Sequence, residues 1–349
     1  MYKVELMQVY IGEGLLEADA LVNFTASYPK VILICDAYLK ELYAEPLAKK
    51  LNAHLLFVPS GESAKSLSVV DVLQRNLAQL GADRETLLVA MGGGTVSDLV
   101  GFVASIYLRG LPLLLIPTTL LAMVDAAIGG KNGINTTFGK NQLGTIYLPR
   151  AMVADVAILK TLPEKQWRNG LAELLKIGLV YEPKVMDFLK RENALQLVTQ
   201  GARAKSAVVE QDLMDHGIRH ILNFGHTIGH ALEAATGYDL SHGEAVAIGA
   251  LVESSLSLHL GFLSRSDYHT IQQLYAKHLP GLKLSSNYCR ERCLQALLLD
   301  KKRRDGSIRT VVLQGVGSVF SAEGEYCVTV SNSMLETVIK EMELNFFGA

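Results

Sequence analysis

The chain has 349 residues, more than one hydrophobic core usually organises, so two domains with a ligand cleft are the natural expectation. Lys plus Arg (33) nearly balances Asp plus Glu (35), and only 7% of residues are aromatic, which argues against a nucleic-acid or acidic-lipid partner. The four cysteines, Cys35, Cys289, Cys293 and Cys327, are too few and too irregular for a disulfide framework, and Cys289 with Cys293 lacks the further ligands of a structural zinc site.

The opening segment MYKVELMQVYIGEG alternates as a strand does and has no export pattern, so a cytoplasmic protein is expected. Four apolar, β-rich runs follow: Val31 to Ala37, His54 to Pro59, Thr86 to Gly94, and Leu111 to Thr119. Amphipathic stretches separate them, which predicts a parallel sheet buried on both faces, an architecture that suits a nucleotide. The longest apolar stretch, Leu111 to Met123, contains Pro112 and Pro117 and is too short to span a bilayer. After about Pro163 the pattern turns helical, over Pro163 to Tyr181, Leu197 to Asp212 and Gly243 to Leu260, and strand-like runs are scarce until Ile308 to Leu313. The expected organisation is an α/β domain over 1–163 and a mainly α-helical domain over 164–349.

Polar residues fall at the predicted strand ends: Asp36 after VILIC, Gly61, Glu62 and Lys65 after LLFVPS, and Thr118 with Thr119 after LLLIP. Ligands of open parallel sheets bind beyond those carboxyl ends, where an acidic side chain suits a ribose hydroxyl. Gly92, Gly93 and Gly94 follow directly on TLLVAM, and Thr95 to Asp98 open a helix. Glycines there let backbone N–H groups approach a pyrophosphate at a helix N-terminus, although the spacing departs from the G-x-G-x-x-G fingerprint. Further on, Asp125 precedes Lys131-Asn-Gly-Ile-Asn135 and Gly139-Lys140-Asn141, where glycines beside lysines and amides suit a small anion. Arg109, Lys176, Lys205, Arg219 and the run Asp300-Lys301-Lys302-Arg303-Arg304 are further cationic candidates.

In Asn223-Phe-Gly-His226-Thr-Ile-Gly-His230 two histidines stand four apart, on one face if helical, and His242 follows before another apolar helix. A single histidine is usually structural, but three within seventeen residues beside glycines point to a metal. Glu173, on the otherwise apolar side of its helix, is the leading carboxylate ligand. Spacing alone does not separate His226 from His230 as ligand and proton carrier.

These stretches resemble a known family. GGGTVSDLVGF, YLRG, IPTTLLAMVDAAIGGKNGIN, GKNQLGTIYLPR, GLAELLKIGL, RHILNFGHTIGHALE, SHGEAVAIG and LDKK, in that order from about Glu62 to Leu313, are similar to 3-dehydroquinate synthases within the sugar phosphate cyclases. The resemblance implies a Rossmann-like NAD domain, a helical domain and a homodimer. It implies zinc or cobalt on Glu173, His226 and His242, which leaves His230 for substrate and proton transfer. NAD contacts would fall on Asp36, Glu62, Lys65, Gly93, Gly94, Asp98, Thr118, Thr119, Thr161 and Asn169. Substrate contacts would fall on Asp125, Lys131, Lys140, Asn141, Lys176, Lys205, Arg219, Asn223 and His230, with Lys301 or Lys302. Arg109 resembles the residue that reaches across the dimer. The implied catalytic set is His230, Lys131, Asp125, Lys176 and Asp215.

The implied reaction turns 3-deoxy-D-arabino-heptulosonate 7-phosphate into 3-dehydroquinate and phosphate. It proceeds by transient oxidation at C5, elimination of phosphate, return of the hydride and intramolecular aldol closure, with NAD regenerated each turn. Two positions depart from the family pattern. Asp215 stands where a glutamate is usual, and Asn132 stands where most members have threonine and cyclases of sedoheptulose phosphate have asparagine. Retained Lys205, Arg219 and Asn223 favour a carboxylated substrate over the sugar phosphates of 2-epi-5-epi-valiolone and 2-deoxy-scyllo-inosose synthases, which are uncharged where the carboxylate would stand. The Lys131, Lys140 and Asn141 cluster argues against a metal-dependent polyol dehydrogenase, whose neutral substrate needs no phosphate site.

Overall fold

The computed structural model describes residues 7–137, 139–299 and 308–347, so the predicted charge run with Lys301 and Lys302 lies outside the described residues. Two compact units are present, one of Met1–Pro163 with Ala194–Ala202, the other of Glu164–Asn193 with Arg203–Ala349.

The first unit is built on strands β1 (Gln8–Gly12), β2 (Val31–Asp36), β3 (His54–Val58), β4 (Leu87–Gly92), β5 (Leu113–Pro117), β6 (Lys131–Thr136), β7 (Gly139–Ile146) and β8 (Ala151–Asp155). Its helices are α1 (Asp19–Ala26), α2 (Glu45–Leu51), α3 (Leu67–Gln79) and α4 (Gly94–Ile106). Six strands form one parallel sheet in the order β1-β8-β5-β4-β2-β3. The sheet is apolar on both faces, as the unbroken runs predict. Val31, Leu33, Cys35, Val89 and Met91 pack with Leu47, Ala48 and Leu51 of α2, while the intervening Ile32, Ile34, Leu88 and Ala90 are equally buried. After β3 the chain crosses back over β2 to lay down β4, which makes the β2–β4 boundary the place where strand order reverses. A crevice for ligand is expected beyond the carboxyl ends at such a reversal.

Two pieces of this unit escape the sequence reading. β8 is a five-residue run, and β6 with β7 is an antiparallel hairpin. The hairpin strands KNGINT and GKNQLGTI are polar and glycine-rich, so they lack the period-two alternation that marks a strand.

The second unit is mainly helical: α5 (Glu164–Val180), the latter part of α6 (Ala194–Gln211), α7 (His226–Ala235), α8 (His242–His259), α9 (Arg265–His278), α10 (Arg290–Leu299) and α11 (Asn332–Phe346). The short strands β9 (Ile308–Thr310), β10 (Leu313–Gly315), β11 (Ser318–Val319) and β12 (Val328–Val330) form two small antiparallel pairs, β9 with β12 and β10 with β11. Residues of α7, α8, α10 and α11 share one apolar core. From Asn169 to Val180 every residue of α5 is buried, Glu173 and Lys176 among them. Charges so placed in an apolar rod need partners. Among the described residues no helix is long and apolar enough to cross a membrane.

Candidate functional site

In the first unit, the glycine turn sits where the topology predicts. A Cβ on Gly92 would lie 2.5 Å from Val96 Cγ2, and one on Gly94 would lie 2.9 Å from Ala126 Cβ, so larger residues do not fit. No side chain caps the start of α4, which leaves the positive end of that helix for an anion. Asp36 closes β2, accepting from Tyr38 N at 2.9 Å and from the Ser60 hydroxyl. Thr118 N donates to Gly92 O at 2.9 Å, and Thr119 Oγ1 accepts from Ala122 N at 3.1 Å. Thr161 Oγ1 lies 2.9 Å from the Tyr43 hydroxyl.

Lys65 organises the polar part of this unit. Its ammonium, 4% exposed, lies 2.6 Å from Asp98 Oδ2 and 3.9 Å from Glu62 Oε1 and also donates to Asn141 Oδ1. Asn135 joins in: Nδ2 donates to Glu62 Oε1 at 2.8 Å, and Oδ1 accepts from Asn141 N at 3.0 Å. Dinucleotide and anion candidates 73 and 76 residues apart in sequence thus form one cluster, with Asn135 of the anion segment bridging Glu62 and Asn141. Burial pushes the Asp98 carboxyl up to about 6 against the pull of Lys65.

That shift predicts a pH dependence. Asp98 binds its proton more tightly folded than unfolded, so its contribution to stability falls as pH rises from about 4 to about 6. Asp98→Asn removes the titration. Its stability relative to the parent should therefore rise by on the order of 2 kcal/mol across that window, read from urea unfolding at several pH values. Parallel pH profiles for the two proteins would show that Asp98 is not held in this way.

The remaining candidates of this unit are more open. Lys131 is exposed and Lys140 half-buried. Asp125 lies in a π-helical turn, Ala122–Ala126, a geometry that often accompanies functional sites. Leu108 and Arg109 both have positive φ, 47° and 67°, on an exposed turn that presents the arginine. Asn132 does not face a ligand site. Its Nδ2 donates to Gly130 O at 2.8 Å and Tyr147 O at 3.0 Å, and its Oδ1 would lie 1.9 Å from a Cβ on Gly101. The side chain is packed against α4, so its identity says little about substrate choice.

In the second unit, Glu173 is the centre. His226 Nε2 lies 3.4 Å and His242 Nε2 3.2 Å from Oε1, while Lys176 pairs with Oε2. Both carboxylate oxygens are buried, and neither has a hydrogen-bond partner of good geometry despite these close charges. One ligand atom from each of Glu173, His226 and His242 lies within 4.8 Å of the others. Burial works against the ionised carboxyl, but Lys176 and His242 prevail and hold it at about 2. Burial likewise opposes a charged His242, yet Glu173 and Glu233 push it up to about 10. That imidazolium belongs to the metal-free pocket, because a ligating imidazole is neutral.

Both imidazoles are turned by oxygens behind them. His226 Nδ1 is 3.2 Å from Phe224 O, and His242 Nδ1 is 3.7 Å from Glu233 Oε2, which leaves each Nε2 toward Glu173. His230 is exposed on the next turn of α7, its ring centroid 5.2 Å from that of His226 and 6.2 Å from that of His242. A second grouping, His230, Glu233 and His242, also converges.

Close backbones set this geometry. A Cβ on Gly249 of α8 would lie 2.1 Å from Gly225 O, and one on Gly229 of α7 would lie 3.1 Å from Ala245 O. Asn169 Oδ1 accepts from Gly243 N at 3.2 Å, which pins the start of α8 to α5 beside His242. Asn169 therefore belongs to the second unit, whereas the other dinucleotide candidates belong to the first.

Lys205 and Arg219 are buried and Asn223 half-buried. Arg219 Nη1 donates to Leu213 O at 2.7 Å. The turn before it is organised by Asp212, whose carboxylate accepts from the amides of His216, Gly217 and Arg219 at 3.0, 2.6 and 3.1 Å. Burial opposes that charge, but the three N–H groups hold the Asp212 carboxyl below its usual range. Asp215 is half-buried, with φ 60°. Asp212, Glu233 and Glu253 escape the sequence reading, since only their contacts with backbone or ring nitrogens mark them.

Residues 55–169 match the family model described as 3-dehydroquinate synthase N-terminal, and residues 170–303 the one described as 3-dehydroquinate synthase C-terminal. A curated 3-dehydroquinate synthase of Dictyoglomus thermophilum is 40% identical over 323 residues, covering 89% of this chain and 90% of its own. Among solved structures, 2-deoxy-scyllo-inosose synthase complexed with carbaglucose-6-phosphate, NAD+ and Co2+ is 28% identical with a TM-score of 0.88, covering 95% and 96% of the two chains. The 2-epi-5-epi-valiolone synthase of Streptomyces hygroscopicus with NAD+ and Zn2+ bound is 29% identical with a TM-score of 0.86, covering 99% and 98%.

Proposed function

We propose a division of labour among these residues from the premise that the chain belongs to the 3-dehydroquinate synthase family. It is a carbon-oxygen lyase of the shikimate pathway, converting 3-deoxy-D-arabino-heptulosonate 7-phosphate into 3-dehydroquinate and phosphate. When bound, a divalent metal supplies Lewis acidity at a substrate oxygen and NAD supplies reversible oxidation at the adjoining carbon.

Glu173, His226 and His242 would hold zinc or cobalt. The single observation carrying this reading is their convergence on one point around a shut-in carboxylate, a donor set of two imidazoles and one carboxylate that suits either ion and leaves room for substrate. Lys176 pairs with the second oxygen of Glu173, which would leave the first for the ion.

The Gly92–Gly94 turn would take the pyrophosphate of NAD, with Asp36 on a ribose hydroxyl and Glu62, Lys65, Asp98, Thr118, Thr119, Thr161 and Asn169 completing the cofactor set. Lys131, Lys140 and Asn141 would bind the substrate phosphate, and Lys205, Arg219 and Asn223 its carboxylate. His230, exposed beside the ligand pair, would move a proton at the substrate. Asp125 and Asp215 are the auxiliary carboxylates, Asp215 with about one methylene less reach than the family's glutamate. A cytoplasmic homodimer accompanies this reading, with Arg109 reaching the phosphate of the other copy's substrate.

The test is phosphate release by purified protein with NAD and a divalent metal, offered in turn 3-deoxy-D-arabino-heptulosonate 7-phosphate, sedoheptulose 7-phosphate and glucose 6-phosphate. Release from the carboxylated sugar alone is expected. Release only from sedoheptulose 7-phosphate would overturn the assignment of Lys205 and Arg219.

A further inference from the structure

Helix α7 carries both His226 and His230, and its start lacks the side-chain cap that such a helix ordinarily has. Gly225 occupies the capping position at φ 78°, where a Cβ would lie 2.8 Å from Val246 O and 3.0 Å from Ala250 N. No serine, threonine or aspartate fits there. The first-turn N–H groups therefore need an acceptor from elsewhere in the fold.

Helix α8 provides it. Glu253 Oε2 accepts from Gly225 N at 2.8 Å, and Oε1 accepts from Ile228 N at 3.2 Å. The side chain is 0% exposed. A carboxylate so deeply buried is costly unless it is held, and the positive end of a helix holds it through both oxygens. Glutamine in its place would keep one acceptor and turn an amide donor toward the other N–H group. His242 opens α8 about three turns before Glu253, so one rod presents a candidate ligand at its first residue and grips the helix of the other further along.

We propose that Glu253 is a positioning residue for the metal centre. By capping α7 from α8, it fixes the place of His226 relative to His242. This rests on the reading of Glu173, His226 and His242 as metal ligands, and its mode of action is geometric, through the N–H groups of Gly225 and Ile228 at the start of α7.

The experiment uses metal-free parent, Glu253→Gln and Glu253→Asp, each titrated with Zn2+ against a chromophoric chelator and with Co2+ followed by its visible absorption. Thermal unfolding of the metal-free proteins is measured in parallel. Glu253→Gln should bind Zn2+ at least tenfold more weakly than the parent and give altered cobalt bands, with Glu253→Asp between them because the charge is kept. A purely structural role would lower the unfolding temperature and leave metal affinity alone. Zn2+ affinity within twofold of the parent and an unchanged cobalt spectrum in Glu253→Gln overturns the proposal. Should that variant not fold, Glu253→Asp carries the same comparison, and failure of both to fold overturns it too, because the group then serves the core as a whole. A parent that takes up no metal refutes the ligand reading itself.

Discussion

Replacing His230 with alanine should lower kcat by about 10²–10⁴, the usual range for losing a positioned acid or base, while metal content stays near that of the parent. The contrast comes from where α7 points its two histidines. His226 keeps Nδ1 against Phe224 O and Nε2 toward Glu173, whereas His230 is exposed. Metal analysis beside steady-state kinetics reads both quantities. The second convergent grouping, of His230, Glu233 and His242, makes the test sharp. If the ion sat there, His230→Ala would lose metal along with activity. Full activity in the variant would refute the proton-transfer role.

Glu173→Gln should remove the metal and, separately, destabilise the metal-free protein by roughly 3–5 kcal/mol, the scale for breaking one side of a buried ion pair. Lys176 is only 3% exposed and beside that carboxylate, so a neutral amide would leave its ammonium poorly compensated. Stability and metal binding can be told apart with a second substitution. Glu173→Gln combined with Lys176→Met should regain much of the lost stability in urea unfolding and none of the zinc affinity. An unchanged unfolding midpoint in the single variant would mean that other groups hold Lys176 and that the pair matters little to the fold.

Much of this was legible in the sequence because the signals are local. Unbroken apolar runs marked β2 to β5, and a helical pattern marked α5 and α8. Three glycines after a strand marked the turn at Gly92, and the 226, 230, 242 spacing marked the histidines. The hairpin of β6 and β7 was not legible, since its strands carry glycine, asparagine and lysine in place of alternating apolar residues. Nor were Asp212 and Glu253, whose partners are backbone N–H groups that any sequence possesses. Glu253 and Gly225 stand 28 residues apart, and only the packing of α8 on α7 brings them together. Asn132 carries the opposite lesson: a residue type that hints at a different substrate is turned inward against Gly101, where its amide closes a turn.

The glycine contacts of α7 with α8 also bear on how this enzyme could be engineered. Exchanging glycine for alanine is a common route to a hardier protein, because it restricts the unfolded chain, but it succeeds only where the folded backbone has room. At Gly225, Gly229 and Gly249 the facing helix leaves too little, and at Gly225 the positive φ adds a second obstacle. A library aimed at thermal tolerance should keep these three invariant and place its diversity at solvent-facing apolar positions such as Leu67 and Leu344.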